Sequence, residues 1–481
     1  MTWLADHWLR LLFVGAYLAV LAHHAWVGMR HTGSIGDYLV AGRKLGGWVI
    51  ALSFYATFVS TNSFIGHAGK GWDVGLIWYV KGAVIVLSAY AAWYVVAPRF
   101  CARAREYDSL TLPDFLGHHY GSPTLRKASA AVVVLATLLF LVAVYKGSAL
   151  ALQAFLGLDY VVAALVIFVV VTGYTLFGGF RSVVLTDAVQ AVLMLAGAVV
   201  LVVAVIHRGG GLSALLDQLR AQDPSLVSWE GKIPLGAILG LSLAGGMKLL
   251  VDPRQISRLY GLEDDRALGL ARLVAPLLIL ITYVCLLPIG VFARALIPAG
   301  AIHDSDRVMP YLLGTAEVLG PVSSSFFLLV LLSAAMSSLD SALLVAASSA
   351  SRDLTSARDD DPRALPRTRR WIVLISLGSM ILALSPFAGI VTITAFAGSL
   401  YAACFLPTLL GSLHFRRGTP QGALACVVCG AATVIGWHLA RRAGWTDWHE
   451  IYPGTAVGAL TYLTTSLVTA PSGDAAPQRS E

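Results

Sequence analysis

The sequence predicts an all-α membrane protein with about thirteen transmembrane helices, and three observations lead to that fold class. Hydrophobic residues make up 57% of the 481 residues and charged residues only 13%, whereas a soluble domain carries about 25% charged residues. Apolar runs of about 20 residues, the length that crosses a hydrocarbon slab, recur along the chain. The loops between them are too short for a second domain. We therefore expect one membrane domain at 1–471 and a short disordered cytoplasmic tail at 472–481.

The apolar runs follow one another with few long interruptions. The thirteen candidate spans lie at 8–28, 46–68, 75–97, 128–155, 159–178, 184–206, 234–257, 271–296, 321–350, 370–388, 390–413, 420–439 and 453–470. Most Lys and Arg residues fall in the alternate loops that begin after the first span, and we place Arg254 and Arg258 among them. Because basic loops stay in the cytoplasm, we expect the N-terminus outside and the C-terminus inside. The expected location is the plasma membrane, as the inner membrane of a bacterium.

Two spans combine small and polar residues in a way that predicts broken helices. The second span contains the run 60–63 (Ser-Thr-Asn-Ser) followed by Gly66, and the seventh contains Gly245 and Gly246 before Asp252. Irregular backbone at membrane depth is tolerated only where it lines a cavity or is buried in protein. The alternative is that these small residues serve close helix packing.

The two broken spans are five spans apart, and this spacing predicts two inverted five-helix repeats with a binding site between them. The repeats would cover about 46–206 and 234–413. One additional helix would precede the repeats, and two would follow them.

Oxygen-bearing groups in three of the spans indicate a cation site. Ser337, Asp340 and Ser341 fall on one helical face in the ninth span, and intramembrane polar groups usually face a cavity, an ion or each other. Backbone carbonyls freed where the second span breaks, at residues 56–60, could coordinate the same ion. Asp187, at the start of another span, could instead be a helix-capping carboxylate, and Asp340 could pair with an interior lysine.

Three lysines lie inside predicted spans, namely Lys81, Lys146 and Lys248. They could bind an anionic solute, most simply a carboxylate. They could equally pair with Asp252, Asp340 or backbone carbonyls, because Asp252 lies one helical turn from Lys248. His67 could carry a proton or be a structural hydrogen-bonded histidine.

Five stretches together resemble the sodium:solute symporter family, the sodium-coupled carriers of proline, pantothenate, sialic acid, sugars and monocarboxylates. These stretches are 37–43, 51–60, 112–122, 178–190 and 336–341. The resemblance implies a leucine-transporter-type core that works by alternating access. It places the main sodium site on the carbonyls of Ala56, Val59 and Ala334 and on the hydroxyls of Ser337 and Ser338.

The resemblance also implies a second cation or proton site in some members, which would fall on Asp187, Asp340 and Ser341. Proline carriers have an aspartate where this chain has Phe58 and aromatic residues where it has Gly245 and Leu249, which argues against proline. In sialic acid carriers the regions near Ser60, Ser63, Lys81 and Lys146 meet the carboxylate of the solute.

We therefore expect a sodium-coupled symporter, not an enzyme, that imports a small organic solute bearing a carboxylate. The expected substrate-binding residues are Ser60, Asn62, Ser63, Lys81, Lys146 and Lys248. Na⁺ is the only metal expected, the partners are the solute and the lipid bilayer, nucleic acid is excluded, and the monomer is expected to function. One alternative is a proton-coupled carrier on the same fold, and another is a sodium symporter of sugars or other neutral solutes.

Overall fold

The computed structural model describes residues 2–30, 35–229, 233–298, 300–314, 320–355, 361, 363–386 and 388–470. Within these residues the chain is helical, without a β-strand, apart from an isolated backbone bridge between Leu45 and Leu262. The predicted disordered tail at 472–481 lies outside the described residues.

The helices of this part of the chain are numbered in order. They are α1 (Thr2–Arg30), α2 (Ile35–Val40), α3 (Gly47–Phe58), α4 (His67–Val74), α5 (Tyr79–Ala91), α6 (Ala97–Glu106), α7 (Leu112–His119), α8 (Pro123–Leu156), α9 (Tyr160–Arg208), α10 (Leu212–Gln222), α11 (Leu235–Val251), α12 (Pro253–Tyr260), α13 (Asp265–Leu286), α14 (Ile289–Leu296), α15 (Val308–Gly314), α16 (Pro321–Ser348), α17 (Ala364–Ala383), α18 (Ile390–His414), α19 (Pro420–Arg442) and α20 (Ile451–Thr469).

Nine helices in the described ranges are long and apolar enough to cross a membrane, or ten when the bent pair α3 and α4 counts as one span. The prediction of thirteen differs at three helices. The 49-residue helix α9 contains two predicted spans, arginines near the start of α17 lower its hydropathy, and hydroxyl side chains do the same for α20. Thirteen spans therefore remain a proposal.

The helix α16 lies at the centre of the bundle. In the most apolar stretch of Val322–Leu354, 94% of residues are buried, compared with 22% for Asp6–Arg30 at the periphery. The core around α16 is formed by α1, α3, α8 and α9, which pack directly against it. A membrane helix that is buried on all sides does not need a lipid-facing surface, and this position makes polar groups on α16 tolerable.

The predicted break in the second span is present. Helix α3 ends at Phe58, Val59 adopts an extended conformation (φ −76°, ψ 107°), and a wide helical turn at Asn62–Gly66 leads into α4. The two halves are bent by 53°. The hydroxyl and amide side chains of this segment compete with the helical hydrogen bonds, which is the physical reason for the break.

The seventh span is also interrupted, but at Asp252 and not at its glycines. Helix α11 ends at Val251, and the Asp252 carboxylate caps α12 by accepting a hydrogen bond from Arg254 N at 3.0 Å. Pro253 then occupies the first turn of α12, where its missing N–H costs nothing. Gly245 and Gly246 lie within α11 and allow α5 to approach closely, because a Cβ on Gly246 would lie 2.5 Å from Ser88 Oγ.

Helix α9 changes direction at Gly179, where the backbone has φ 61° and ψ −172°. A side chain is strained in this conformation, and a Cβ there would lie 2.7 Å from the ring of Tyr38. The glycine therefore sets the angle between the two halves of α9, and the second half carries Asp187 into the core.

Candidate functional site

The break in α3 frees two backbone carbonyls inside the protein. Ser60 N, which would bond to Ala56 O in a continuous helix, lies 3.3 Å from Ser63 Oγ instead. Ser63 N, which would bond to Val59 O, donates to Ser60 O at 2.8 Å. Ala56 and Val59 are both buried. Their carbonyls therefore lack their helical donors at a depth where water cannot replace them.

Hydroxyl groups of α16 lie in the same region. Thr57 Oγ1 is 3.4 Å from Ser341 Oγ, so α3 and α16 meet here. Ser337 Oγ donates to Ala334 O at 3.4 Å, whereas Ser338 Oγ is buried and has no hydrogen-bond partner in the described part of the chain. An orphaned buried hydroxyl is costly, and a cation that accepts its lone pair would remove that cost. Neutral carbonyl and hydroxyl oxygens suit a hard monovalent ion such as Na⁺.

A group of charged residues adjoins these hydroxyls, and we call Asp187, Arg258, Asp340 and Ser341 the ion cluster. The side chains of Asp187 and Arg258 are both completely buried and form an ion pair of 2.8 Å. Ser53 Oγ also donates to the same Asp187 oxygen at 2.6 Å. The other oxygen of this carboxylate has no hydrogen-bond partner.

Asp340 and Arg258 both contact Ser341 Oγ. The Asp340 carboxylate accepts from Tyr174 Oη at 2.9 Å, and Ser341 Oγ lies 3.2 Å from its other oxygen. Ser341 also receives a hydrogen bond from Arg258 Nη2 and donates to Ser337 O at 2.7 Å. The three residues predicted for a second cation or proton site are thus close together.

Sequence reasoning missed Arg258. We assigned it, with Arg254, to a cytoplasmic loop, but the structure buries both side chains. A signal was available, because an aspartate in an apolar span needs a partner and the interruption at Asp252 brings α12 into the bundle.

A cavity lies beside the break and is called the pocket below; its empty space is about 390 Å³, which includes the part that is open to solvent. Five of the six predicted substrate-binding residues line it, namely Ser60, Asn62, Ser63, Lys81 and Lys248. Other side chains of the wall were not predicted for the site, namely Phe58, His67, Ile85, Phe140, Tyr283 and Thr394. Asn62 Oδ1 and His67 Nδ1 are buried there without hydrogen-bond partners, so the wall offers polar atoms that a solute can bind.

The two lysines of the pocket give it an excess of positive charge. Lys81 Nζ donates to Leu241 O at 2.6 Å, and no carboxylate in the described part of the chain forms an ion pair with it. Lys248 Nζ is 3.6 Å from Asp252, but Arg254 binds the same carboxylate at 2.5 Å. One carboxylate, that of Asp252, is therefore the partner of two cations, and Lys81 has no carboxylate partner among the described residues. Buried charges with too few counter-ions are unfavourable.

The sixth predicted residue, Lys146, does not line the pocket. Its Nζ forms a buried ion pair of 2.6 Å with Asp306, which also accepts from Ile390 N at 3.1 Å. This contact joins α8 to the turn before α15 and to the start of α18. A Cβ on the next residue, Gly147, would lie 2.8 Å from Thr61 Cβ, so this contact is close to the break in the second span.

A second set of ion pairs lies near the start of α8. Arg126 bridges Asp114 at 3.1 Å and Asp353 at 2.9 Å, and Arg352 reaches Asp114 at 3.3 Å. Thr111 adds a hydrogen bond of 2.8 Å to Asp353. These pairs lie 20 residues before Lys146 on α8, which is about 30 Å along the helix axis.

The family model of the sodium:solute symporter family matches residues 38–430. The chain belongs to this family. It is therefore a membrane transporter and not an enzyme, and Na⁺ is its coupling ion.

Relatives and solved structures extend this match over nearly the whole chain. The osmoregulated proline transporter OpuE of Bacillus subtilis is 28% identical, with 95% of this chain and 94% of the relative covered. The sodium/pantothenate symporter of Escherichia coli is 29% identical, with 93% and 94% covered. A solved structure of a Na⁺-coupled sialic acid symporter, in a substrate-bound outward-open state, has a TM-score of 0.81 at 18% identity and covers 97% of this chain and 99% of its own. The structure of MhsT in complex with L-phenylalanine has a TM-score of 0.56 at 16% identity, with 88% and 97% covered. The expected leucine-transporter-type fold is confirmed.

Proposed function

We propose that this sodium symporter imports a small organic anion that bears a carboxylate. The observation that carries the proposal is the charge of the pocket. Lys248 and Arg254 share the carboxylate of Asp252, and Lys81, on the same pocket wall as Lys248, forms no ion pair with a carboxylate of the described residues. Burying unpaired charge costs several kcal/mol per ion, so a solute that brings a negative charge gains more here than a neutral one.

Two residues of the pocket wall also argue against proline as the solute. Phe58 and Gly245, where the chain departs from the residues expected of proline carriers, both line the pocket. The departures fall at positions that a bound solute would contact. They favour a solute other than proline, even though several relatives are named as proline transporters.

The sodium ion is proposed to bind between the break in α3 and the middle of α16. Its ligands would be Ala56, Val59, Ala334, Ser337 and Ser338. The freed carbonyls and the orphaned hydroxyl of Ser338 support this set. Bound there, Na⁺ would tie α3 to α16 and fix the segment from Ser60 to Ser63, which also lines the pocket.

Through this shared segment, sodium binding would be coupled to solute binding. An ion and a solute that both stabilise one arrangement of the break increase each other's affinity, and such coupling is typically about 1–3 kcal/mol. The Lys146–Asp306 pair and the Arg126 pairs would open alternately, because a carrier must not open both ends at once. Lys146 would then be a gating residue more than a solute ligand.

The remaining architecture is proposed as the sequence predicted it. We propose thirteen spans, inverted repeats at about 46–206 and 234–413, an outside N-terminus, an inside C-terminus and residence in the bacterial inner membrane. The monomer is the proposed unit, since one chain supplies both the pocket and the proposed sodium ligands.

Uptake into proteoliposomes tests the proposal. We expect an inward sodium gradient to drive uptake of one or more members of a panel of radiolabelled small carboxylates, and we expect the matching amides to be neither transported nor inhibitory. Uptake of neutral sugars in preference to acids would contradict the carboxylate assignment. Uptake driven by a proton gradient in sodium-free buffer would support the proton-coupled alternative instead.

A further inference from the structure

The pocket contains a buried histidine to which neither the proposed sodium site nor the predicted solute site assigns a role. His67 begins α4, just after the break, and its side chain lines the pocket. The residue is only 1% exposed. Its Nδ1 has no hydrogen-bond partner in the described part of the chain. Because a buried polar atom without a partner is unfavourable, a solute group that pairs with Nδ1 would gain affinity here.

Tyr283 positions the imidazole. Tyr283 Oη lies 3.3 Å from His67 Nε2, and the centres of the two rings are 5.6 Å apart. Tyr283 also lines the pocket, and its ring stacks on that of Phe58 at 6.1 Å. Since Nε2 faces the tyrosine hydroxyl, Nδ1 is the nitrogen that is left for the solute.

His67 is also close to Lys81, the lysine without a carboxylate partner among the described residues. Trp78 lies between them, because its ring is 5.8 Å from the His67 ring and 5.7 Å from Lys81 Nζ, measured to the ring centre. The ammonium and the imidazole therefore flank the same indole. A solute whose carboxylate binds Lys81 would have its other substituents near His67.

The charges of the pocket wall decide which substituent suits His67. Among the described residues that line the pocket, none is acidic and two are lysines. The ammonium group of an amino acid would therefore be buried beside two cations without a counter-ion, which is unfavourable. A hydroxyl group is uncharged and can donate or accept a hydrogen bond, so it suits either tautomer of a neutral imidazole.

We propose that His67 binds a hydroxyl group of the solute, so that the symporter selects hydroxy acids over unsubstituted acids and amino acids. This role of His67 rests on the proposed function, because it takes the carboxylate of the solute to be bound by Lys81. An unsubstituted acid that filled the pocket would leave Nδ1 unpaired. A site that binds a substrate hydroxyl through a buried group discriminates strongly against analogues that lack the hydroxyl.

Sodium-driven uptake by the purified full-length protein in proteoliposomes tests this selectivity. Two sets of radiolabelled acids differ at one substituent, namely lactate, propionate and alanine, and the larger mandelate, phenylacetate and phenylglycine. We expect the hydroxy acid of at least one set to have a KM at least tenfold below those of the other two members. Similar KM values for the hydroxy and unsubstituted acids, or a preference for the amino acid, would overturn the role of His67 and leave sodium-driven carboxylate uptake intact. Uptake of no acid from either set would contradict the carboxylate assignment, and with it the role of His67.

Variants show whether the imidazole recognises the hydroxyl group. His67→Phe keeps a ring but removes both nitrogens, so the KM for the hydroxy acid should rise about tenfold, whereas that for the unsubstituted acid should stay the same. Thr394→Val is the matched control, because the Thr394 hydroxyl already donates to Ile390 O and Val391 O on its own helix. It should keep the native ratio of the two KM values. A folded His67→Phe protein with the native ratio would overturn the proposal, and if it does not fold, His67→Leu is judged by the same ratio.

Discussion

The pocket and the ion cluster have opposite charge imbalances on either side of the same broken helix. The pocket is lined by Lys81 and Lys248, and the Asp252 carboxylate that pairs with Lys248 also binds Arg254. In the ion cluster, two carboxylates accompany one guanidinium. Neither imbalance is explained by stability, because unpaired buried charge is unfavourable.

From this difference we infer which region would bind the solute and which would lie next to the sodium ion. Under the proposed function, an anionic solute would bring negative charge to the pocket, and a sodium ion bound at Ser338 would lie next to the ion cluster. Because residues on both sides of the break contribute, completing one region also orders the other. The predictions below test this division in order of expected effect.

The largest effect is expected for Asp187→Asn. This change leaves the Arg258 guanidinium buried without a counter-ion, and breaking such a pair costs about 3–5 kcal/mol. Transport should be abolished, and the apparent melting temperature of the purified protein should fall markedly. The double variant that adds Arg258→Met should recover much of the melting temperature. An unchanged melting temperature in the single variant would show that the ion pair does not stabilise this region.

A solute-specific effect is expected for Lys81→Met. The ammonium has no carboxylate partner among the residues that the structure describes, so its removal should leave the melting temperature unchanged or raised. The KM for the anionic solute should rise by about tenfold or more, since a hydrogen bond to a charged group contributes about 1.5–3 kcal/mol.

Lys146→Met is the matched control for Lys81→Met, because Lys146 is paired with Asp306 outside the pocket. Its loss should lower the melting temperature and change the turnover rate, with little effect on solute affinity. The reverse pattern, with affinity lost in the Lys146 variant and kept in the Lys81 variant, would mean that Lys146 binds the solute.

The smallest effect is expected for Gly245→Ala. A Cβ at this position would lie 2.7 Å from Lys81 Nζ, the flexible end of a side chain that can move away. We expect solute affinity to fall by only about threefold, which corresponds to less than 1 kcal/mol. Gly246→Ala should instead lower stability, because its Cβ would meet Val84 O of the backbone at 3.2 Å. Similar solute affinities in Gly245→Ala and the native protein would place the Lys81 ammonium outside the solute's reach.

Local sequence patterns predicted most of the fold. Apolar runs indicated the helices, because hydrocarbon thickness sets their length. The hydroxyl and amide side chains at 60–63 indicated the first break because they compete with the backbone within a few residues. The second break was predicted for a span with several glycines followed by Asp252 and Pro253, and it lies at Asp252, where a capping carboxylate and Pro253 end one helix and begin another.

Pairings between distant segments could not be predicted in the same way. Arg258 and Asp187 are 71 positions apart, and Lys146 and Asp306 are 160 apart. A buried lysine in a sequence is equally compatible with a solute and with any carboxylate that the fold brings near. Only the arrangement of helices distinguishes Lys81, which has no carboxylate partner among the described residues, from Lys146, which has one.

The sodium dependence of uptake by Ser338→Ala tests the central claim most directly. Ser399→Ala is the matched control, because Ser399 is equally buried but donates to Ala395 O on its own helix. The account predicts that the half-saturating sodium concentration rises by about tenfold in Ser338→Ala, for a lost contact to a charged group of about 1.5 kcal/mol, and stays unchanged in Ser399→Ala. An unchanged sodium dependence in a folded, active Ser338→Ala protein would contradict a sodium ion bound between α3 and α16.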